Sequence, residues 1–455
     1  MFKNKKTIYT LISIPLLIVF LLFAWLFSIV FEGEKPLITI KPLPEFLSGS
    51  QKFTLNISDM KRGIKRLKVF VNQEGREITI SEETFPFQGL LNRKGVHQLE
   101  KEIFINPSTL NLSQGRVDLI ASVWDYSKRG GGDGNLTLAQ HKMMVDTIPP
   151  ACRTITRMHN INRGGTALVV YQTSSDTEKS GIFLDDLFFP GFPADGKSQE
   201  GIHVCYFAIP YDSNLNPTIY LWARDKAGNL SKTTFYHHIR KKEFRKERIN
   251  ITDRFLNRVL PYFSFYLSNS EESDIKKYIK VNNDLRKSDH NTLFKLREKT
   301  TLKKLWEGTW LRLNNAATMA RFGDHRSYFY KEMMVDEQVH LGFDLASLAN
   351  SPVQAANHGR VIFAEKNGIY GLTVALDHGQ GLVSIYGHLS SIGVTRDQDV
   401  KKGDIIGVTG ETGLAGGDHL HFAIMVNGIF VNPIEWWDDH WIEDNITRKL
   451  DLLKK

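Results

Sequence analysis

Cysteine is nearly absent, with only Cys152 and Cys205 in 455 residues. So sparse a supply excludes a disulfide-built scaffold, and two thiols far from the histidine-rich C-terminal region do not make a thiolate metal site there. Whether they bond to each other is left open by sequence alone. Charge is missing altogether from residues 8–31, and Lys3, Lys5 and Lys6 precede that stretch. It is long enough to span a bilayer, and the basic flank comes first, so it predicts a transmembrane anchor with the amino terminus inside. A cleaved secretory signal has a shorter apolar core and a small-x-small cleavage site, which is lacking here. All that follows the anchor is then exported. Compact basic-aromatic clusters are lacking too. The formal charge of +8 therefore favours anionic surfaces in general, and no nucleic-acid partner is expected.

What is present reads as several globular units, because 42% hydrophobic and 24% charged residues are enough to bury cores. After a basic flank and anchor at 1–33, residues 34–150 alternate apolar and polar in short runs. Phe53-Thr54-Leu55-Asn56-Ile57 and Leu67-Lys68-Val69-Phe70-Val71 are examples, and they predict antiparallel strands. Pro149-Pro150 cannot continue a ladder and marks a linker. Residues 151–239 echo the first unit. Ser58-Asp59 leading to Gly63-Ile64 is matched by Ser175-Asp176 leading to Gly181-Ile182, and Asp125 before Gly134-Asn135 by Asp225 before Gly228-Asn229. That pattern resembles bacterial immunoglobulin-like β-sandwich modules. Residues 240–324 turn charged and helical, predicting a connector. Residues 325–441 return to glycine-punctuated strands and predict a compact all-β unit, followed by a charged tail at 442–455. The fold class expected is mainly β.

The chemistry-bearing residues fall in that last β unit. In His340-Leu341-Gly342-Phe343-Asp344-Leu345 a strand period of two places His340 and Asp344 on one face. In His419-Leu420-His421-Phe422 the same period pairs the two histidines and turns Leu420 and Phe422 to the core. A third strand, Ser384-Ile385-Tyr386-Gly387-His388, delivers one more imidazole on the face of Ser384 and Tyr386. Any one match is weak in a chain with 15 histidines. Their convergence is informative, because two imidazoles and one carboxylate form a common catalytic zinc set with an open position. Asp377-His378-Gly379 reads as turn chemistry, and Trp436, Trp437 and Trp441 as core or rim aromatics.

The residues from His340 to Trp437 carry a family resemblance. HxxxD is followed by Tyr386-Gly387-His388-Leu389, then Val400-Lys401-Lys402-Gly403-Asp404, Thr409-Gly410-Glu411-Thr412-Gly413, His419-Leu420-His421-Phe422 and Val431-Asn432-Pro433. In that order they resemble the LytM/lysostaphin-type zinc metalloendopeptidases. Two departures concern loops: Asn350-Ser351-Pro352 stands where the family often has a Pro-x-Gly-Thr-Pro turn, and Asp418 stands before HxH where proline is common. The resemblance implies one Zn2+ per chain held by His340, Asp344 and His421, with His388 and His419 as catalytic histidines. It also implies that Asn314-Asn315 could block the open zinc position, as an upstream asparagine does in some members. The function it implies is a hydrolase cutting peptide cross-links in peptidoglycan stems. With the anchor, the location expected is the inner (cytoplasmic) membrane, single-pass, with the bulk of the chain in the periplasm or extracellular space. The rival reading is a non-catalytic wall-binding or hydrolase-activating scaffold on the same fold.

Overall fold

The computed structural model describes residues 5–194, 201–267 and 272–454. Its chain falls into two compact units, one holding residues 1–149 with 226–229 and the other holding the rest. The first unit begins with the helix Lys5–Val30, in which Ile12–Val30 is apolar and long enough to cross a membrane. At about 1.5 Å per residue its 26 residues reach about 39 Å.

Beyond that helix the first unit is a sandwich. Leu37–Lys41, Gln51–Ser58 and Gln98–Ile105 form one sheet, and Ile64–Gln73, Arg76–Thr84, Gly115–Asp125 and Leu136–Val145, with Phe46–Leu47 at the edge, form the other. Alternation decides which side chains face inward. In Gln51–Ser58 the buried residues are Phe53, Leu55 and Ile57, and they share one core with Val69, Leu119 and Val123 of the other sheet. The repeated aspartate has a local task here. Asp125 Oδ1 accepts the backbone N–H of Ser127 and of Asn135, which closes the Gly134-Asn135 turn onto the strand end.

The second unit opens with two four-stranded sheets, one centred on Thr166–Thr173 and Ile202–Ala208, the other on Thr177–Leu184 and Ile219–Asp225. Cys152 and Cys205 are both free thiols, and burial pushes the Cys205 thiol well above its ordinary value. Between 240 and 324 the chain contains the helices Asp253–Val259, Asp274–Lys280 and Arg286–Lys295, together with two strands. One of these, Lys246–Ile251, lies parallel to His325–Tyr330, which continues antiparallel into Met333–Val339.

An eight-stranded antiparallel sheet then carries the C-terminal region. Its order runs Ala317–Ala320, Phe343–Ala346, Leu420–Val426, Leu382–Leu389, Leu372–Gly379, Gly359–Lys366, Asp399–Val400, with Ile429–Val431 beside Leu420–Val426. A continuous core runs from Ile161 to Ile446, so the second pair of sheets and the C-terminal sheet are packed as one body. Polar ties cross it as well: Asn427 Nδ2 donates to the Tyr206 carbonyl, and the buried Glu435 carboxylate accepts from Thr166 N and Asn162 Nδ2. Trp436 is fully buried against Trp306, Trp310 and Trp441, which makes it a core residue.

Candidate active site

His340 and Asp344 do not sit on one strand. Met333–Val339 ends one sheet and Phe343–Ala346 begins another, with His340, Leu341 and Gly342 bridging them. Two backbone hydrogen bonds clamp the bridge: His340 N donates to the Asp324 carbonyl at 3.0 Å, and Gly323 N donates to the His340 carbonyl at 2.7 Å. Gly342 is needed because the site closes over it. A Cβ there would stand 2.6 Å from the His421 ring and 2.8 Å from the Phe422 carbonyl. His340 and Asp344 meet nevertheless, with Nε2 2.9 Å from Asp344 Oδ1.

Across the sheet, register does the assembling. Asp344 pairs with His421 on the neighbouring strand, and His421 pairs with Gly387 on the next. His421 Nδ1 thus lies 3.0 Å from Asp344 Oδ1 and 3.1 Å from His340 Nε2. His388 arrives differently. The ladder between Leu372–Gly379 and Leu382–Leu389 shifts register between Tyr386 and Leu389, and His388 itself has φ +62°. This bulge re-aims the imidazole, so strict alternation from Ser384 does not set its direction. Ser384 and Tyr386 bond to each other and to His378 and Ala356, whereas His388 lines the cavity.

The two further histidines are oriented by backbone carbonyls. His388 Nδ1 donates to the Thr412 carbonyl at 2.8 Å and His419 Nδ1 to the Gly417 carbonyl at 2.8 Å, which assigns Nε2 as the acceptor on each ring. The glycine-rich turn that supplies Thr412 also needs Gly413, whose φ is +77° and whose Cβ would meet the Ile369 carbonyl at 2.4 Å. The His388 and His419 rings are 4.7 Å apart, and His419 Nε2 is 3.5 Å from Asp344 Oδ1.

These residues line a cavity of about 430 Å³ that also exposes Tyr370, Arg286 and Arg326. Burial alone would push the Asp344 carboxyl up, but the neighbouring imidazoles in their protonated forms, His340 first and then His419 and His421, outweigh it and hold the carboxyl well below its ordinary value. Burial, then the charges of His419 and His421, push His388 well below the ordinary imidazole value, and burial brings His421 down to about 4. For His419 burial is outweighed by the Asp344 carboxylate, and its pKa is raised.

The arrangement fits a metal ion. His340 Nδ1 donates to the Arg321 carbonyl, so in the neutral ring, the form that binds a metal, Nε2 presents a lone pair, and this faces Asp344 Oδ1 and His421 Nδ1. Three acceptor atoms within 2.9–3.1 Å of one another call for positive charge among them. A tetrahedral zinc site with bonds of 2.0–2.1 Å has donor edges of about 3.3 Å, close to these separations. His421 Nε2 is buried with no hydrogen-bond partner among the described residues, so Nδ1 is the ring nitrogen committed to the cluster.

All five histidine and aspartate positions expected from sequence are therefore brought together. Asn314 is not among them: its amide donates to Gln354 at 3.1 Å, away from the cavity lining. His378 departs from the turn reading. It is fully buried at the end of Leu372–Gly379, bonded to Ser384 Oγ and the His358 carbonyl. Sequence reading missed Arg326, whose guanidinium donates to Asp344 Oδ2 at 3.2 Å, and Tyr370, whose ring lies 5.2 Å from that of His421. Arg326 stands 18 residues before Asp344, and no spacing rule links them.

Comparison with known proteins places this site in context. The family model for peptidase family M23 matches residues 338–433. DD-carboxypeptidase/endopeptidase Mpg of Neisseria meningitidis serogroup B is 36% identical over 97 residues, which are 21% of this chain and 22% of that protein. Murein hydrolase activator EnvC of Escherichia coli is 35% identical over 107 residues, 24% of this chain and 26% of that protein. Among solved structures, the catalytic domain of lysostaphin from Staphylococcus simulans aligns over 29% of this chain and 98% of its own, with 28% identity and a TM-score of 0.25. The chain thus spans about a quarter of the length of each of these two curated relatives. The matched segment begins before His340, ends after His421 and contains every residue of the histidine–aspartate cluster: residues 338–433 are a peptidase family M23 domain.

Proposed function

We propose that this protein is a membrane-anchored zinc metalloendopeptidase that hydrolyses peptide cross-links of bacterial peptidoglycan. The observation that carries the reading is the triangle of His340 Nε2, Asp344 Oδ1 and His421 Nδ1, with His388 and His419 beside it in one cavity. Imidazole ligands favour zinc over magnesium or calcium, and three protein ligands leave a position open for reaction. When bound, zinc supplies Lewis acidity toward the scissile carbonyl and makes water a stronger nucleophile near neutral pH. Each of His388 and His419 has Nδ1–H committed to a carbonyl, so Nε2 is the reactive atom: the unprotonated one of the pair would accept the attacking water's proton and the protonated one would stabilise the developing oxyanion. The apolar helix Ile12–Val30 supports a single-pass anchor in the inner membrane with the site on the periplasmic or outer side. Peptide stems of the wall as substrate are supported by similarity to the neisserial DD-carboxypeptidase/endopeptidase.

Similarity to a murein hydrolase activator favours a second reading, a wall-bound scaffold without turnover. The complete set of five site residues supports the enzyme. The deciding experiment measures zinc content and muropeptide release from purified sacculi, using the full chain in detergent and its His421→Ala and His419→Ala variants. The endopeptidase reading expects about one zinc per chain, release of cross-link fragments, metal loss in His421→Ala, and retained metal without activity in His419→Ala. Zinc-loaded wild type that releases nothing from sacculi refutes it and leaves the scaffold.

A further inference from the structure

The Asp344 carboxylate is divided between two kinds of partner. Oδ1 faces His340, His421 and His419 at 2.9, 3.0 and 3.5 Å. Oδ2 is turned away to Arg326, which donates through Nη2 at 3.2 Å. Arg326 is itself held, because its Nε donates to Glu247 Oε2 at 3.2 Å. That second tie is built into the sheet: Glu247 is the register partner of Arg326 in the parallel pairing of Lys246–Ile251 with His325–Tyr330. The Arg326 side chain is only 20% exposed and lines the cavity. Neither residue lies in the matched segment 338–433.

We propose that Arg326, anchored by Glu247, is a positioning residue that holds Asp344 to metal ligation through a single oxygen. The inference rests on the metal-site reading above. A carboxylate free to rotate can offer a cation both oxygens, which fills coordination positions and closes the opening a substrate needs. Binding Oδ2 to a guanidinium prevents this. It also draws negative charge away from Oδ1, so that a bound ion keeps more of its own positive charge. Groups that hold a ligating residue in this way contribute to metal affinity as well as activity. Arginine suits the task where lysine does not, since its planar fork can serve Glu247 and Asp344 with different nitrogens at once. A strand from outside the matched domain thereby becomes part of the site.

The test uses the full chain in detergent, loaded with Co2+ as a spectroscopic substitute, with chelator competition for Co2+ and Zn2+ affinity. Arg326→Ala is expected to weaken metal affinity by about 10–100-fold and to lower the intensity of the visible cobalt band as the coordination number rises. Arg326→Lys should recover part of both. Glu247→Gln should shift both in the same direction by less. It keeps the side chain's shape at a partly exposed position, so it decides the matter if Arg326→Ala fails to fold. Variants that keep the wild-type cobalt spectrum and wild-type chelator competition overturn the proposal while the metal site stands. A wild-type protein that takes up neither ion overturns both.

Discussion

Asp344 and His421 stand directly opposite each other on neighbouring antiparallel strands, Oδ1 3.0 Å from Nδ1, although 77 residues separate them in the chain. The pairing is cross-strand geometry, so neither residue can move without shifting the register of the other. Removing either one should have the same consequence. Asp344→Ala and His421→Ala are each expected to lose stoichiometric zinc, and the double variant to be no worse than either, since residues acting on one ion are not additive. His388→Ala should keep zinc and lose about 10²–10⁴-fold in kcat. Metal-to-protein ratios and turnover on sacculi, measured on the same preparations, check both statements.

Gly342 lies between the two sheets that deliver His340 and Asp344, and a methyl group there would enter the His421 ring. Gly342→Ala is expected to leave circular dichroism unchanged while zinc affinity falls, read by chelator competition. Wild-type zinc affinity in this variant would show that the imidazole can retreat without cost.

Trp436 has a different kind of importance. It is fully buried, its ring meets those of Trp306, Trp310 and Trp441, and its carbonyl accepts from Trp310 N at 3.0 Å. Trp436→Ala should cost about 3–5 kcal/mol of stability without changing zinc content below the unfolding transition. Denaturant melts and metal analysis separate this packing role from a role in the site.

His378 predicts a pH dependence of folding. Burial brings its pKa from 6.5 to about 4. Above pH 6.5 neither the folded nor the unfolded chain carries the proton, so the group has no effect there. As the pH falls through the window from 6.5 to about 4, the unfolded chain takes up a proton that the folded chain refuses, and stability is lost. Below the folded value the loss levels off at about 3 kcal/mol, from 1.36 kcal/mol per unit. His378→Gln removes this titration. Denaturation midpoints across the window should therefore fall less steeply with acid than in wild type, whatever the variant's absolute stability; an unchanged slope refutes the assignment.

Composition and periodicity, which are local properties, were enough to read the apolar N-terminal helix and the alternating strands of the first unit, whereas the five residues of the candidate site were picked out by the order of their motifs and the family resemblance it carries. The apolar run before Val30 needs no partner to identify it, and Phe53, Leu55 and Ile57 face inward because a strand alternates. The route by which His340 and Asp344 meet was not legible, because the chain leaves one sheet at Val339 and enters another at Phe343, a change set by pairing with distant strands. Nor was the bulge that aims His388, since an extra residue in a ladder exists only relative to its partner strand. His378 looked like a turn residue because its burial depends on what covers it. Arg326 and Glu247 gave no signal at all: their link to Asp344 comes from a parallel register between segments far apart in sequence. The sequence by itself determined which side chains are expected to carry the chemistry. Only the tertiary structure decided which atom of each is turned into the histidine–aspartate cluster and which groups hold it there, because hydrogen-bond register and burial are properties of paired segments and not of either segment alone.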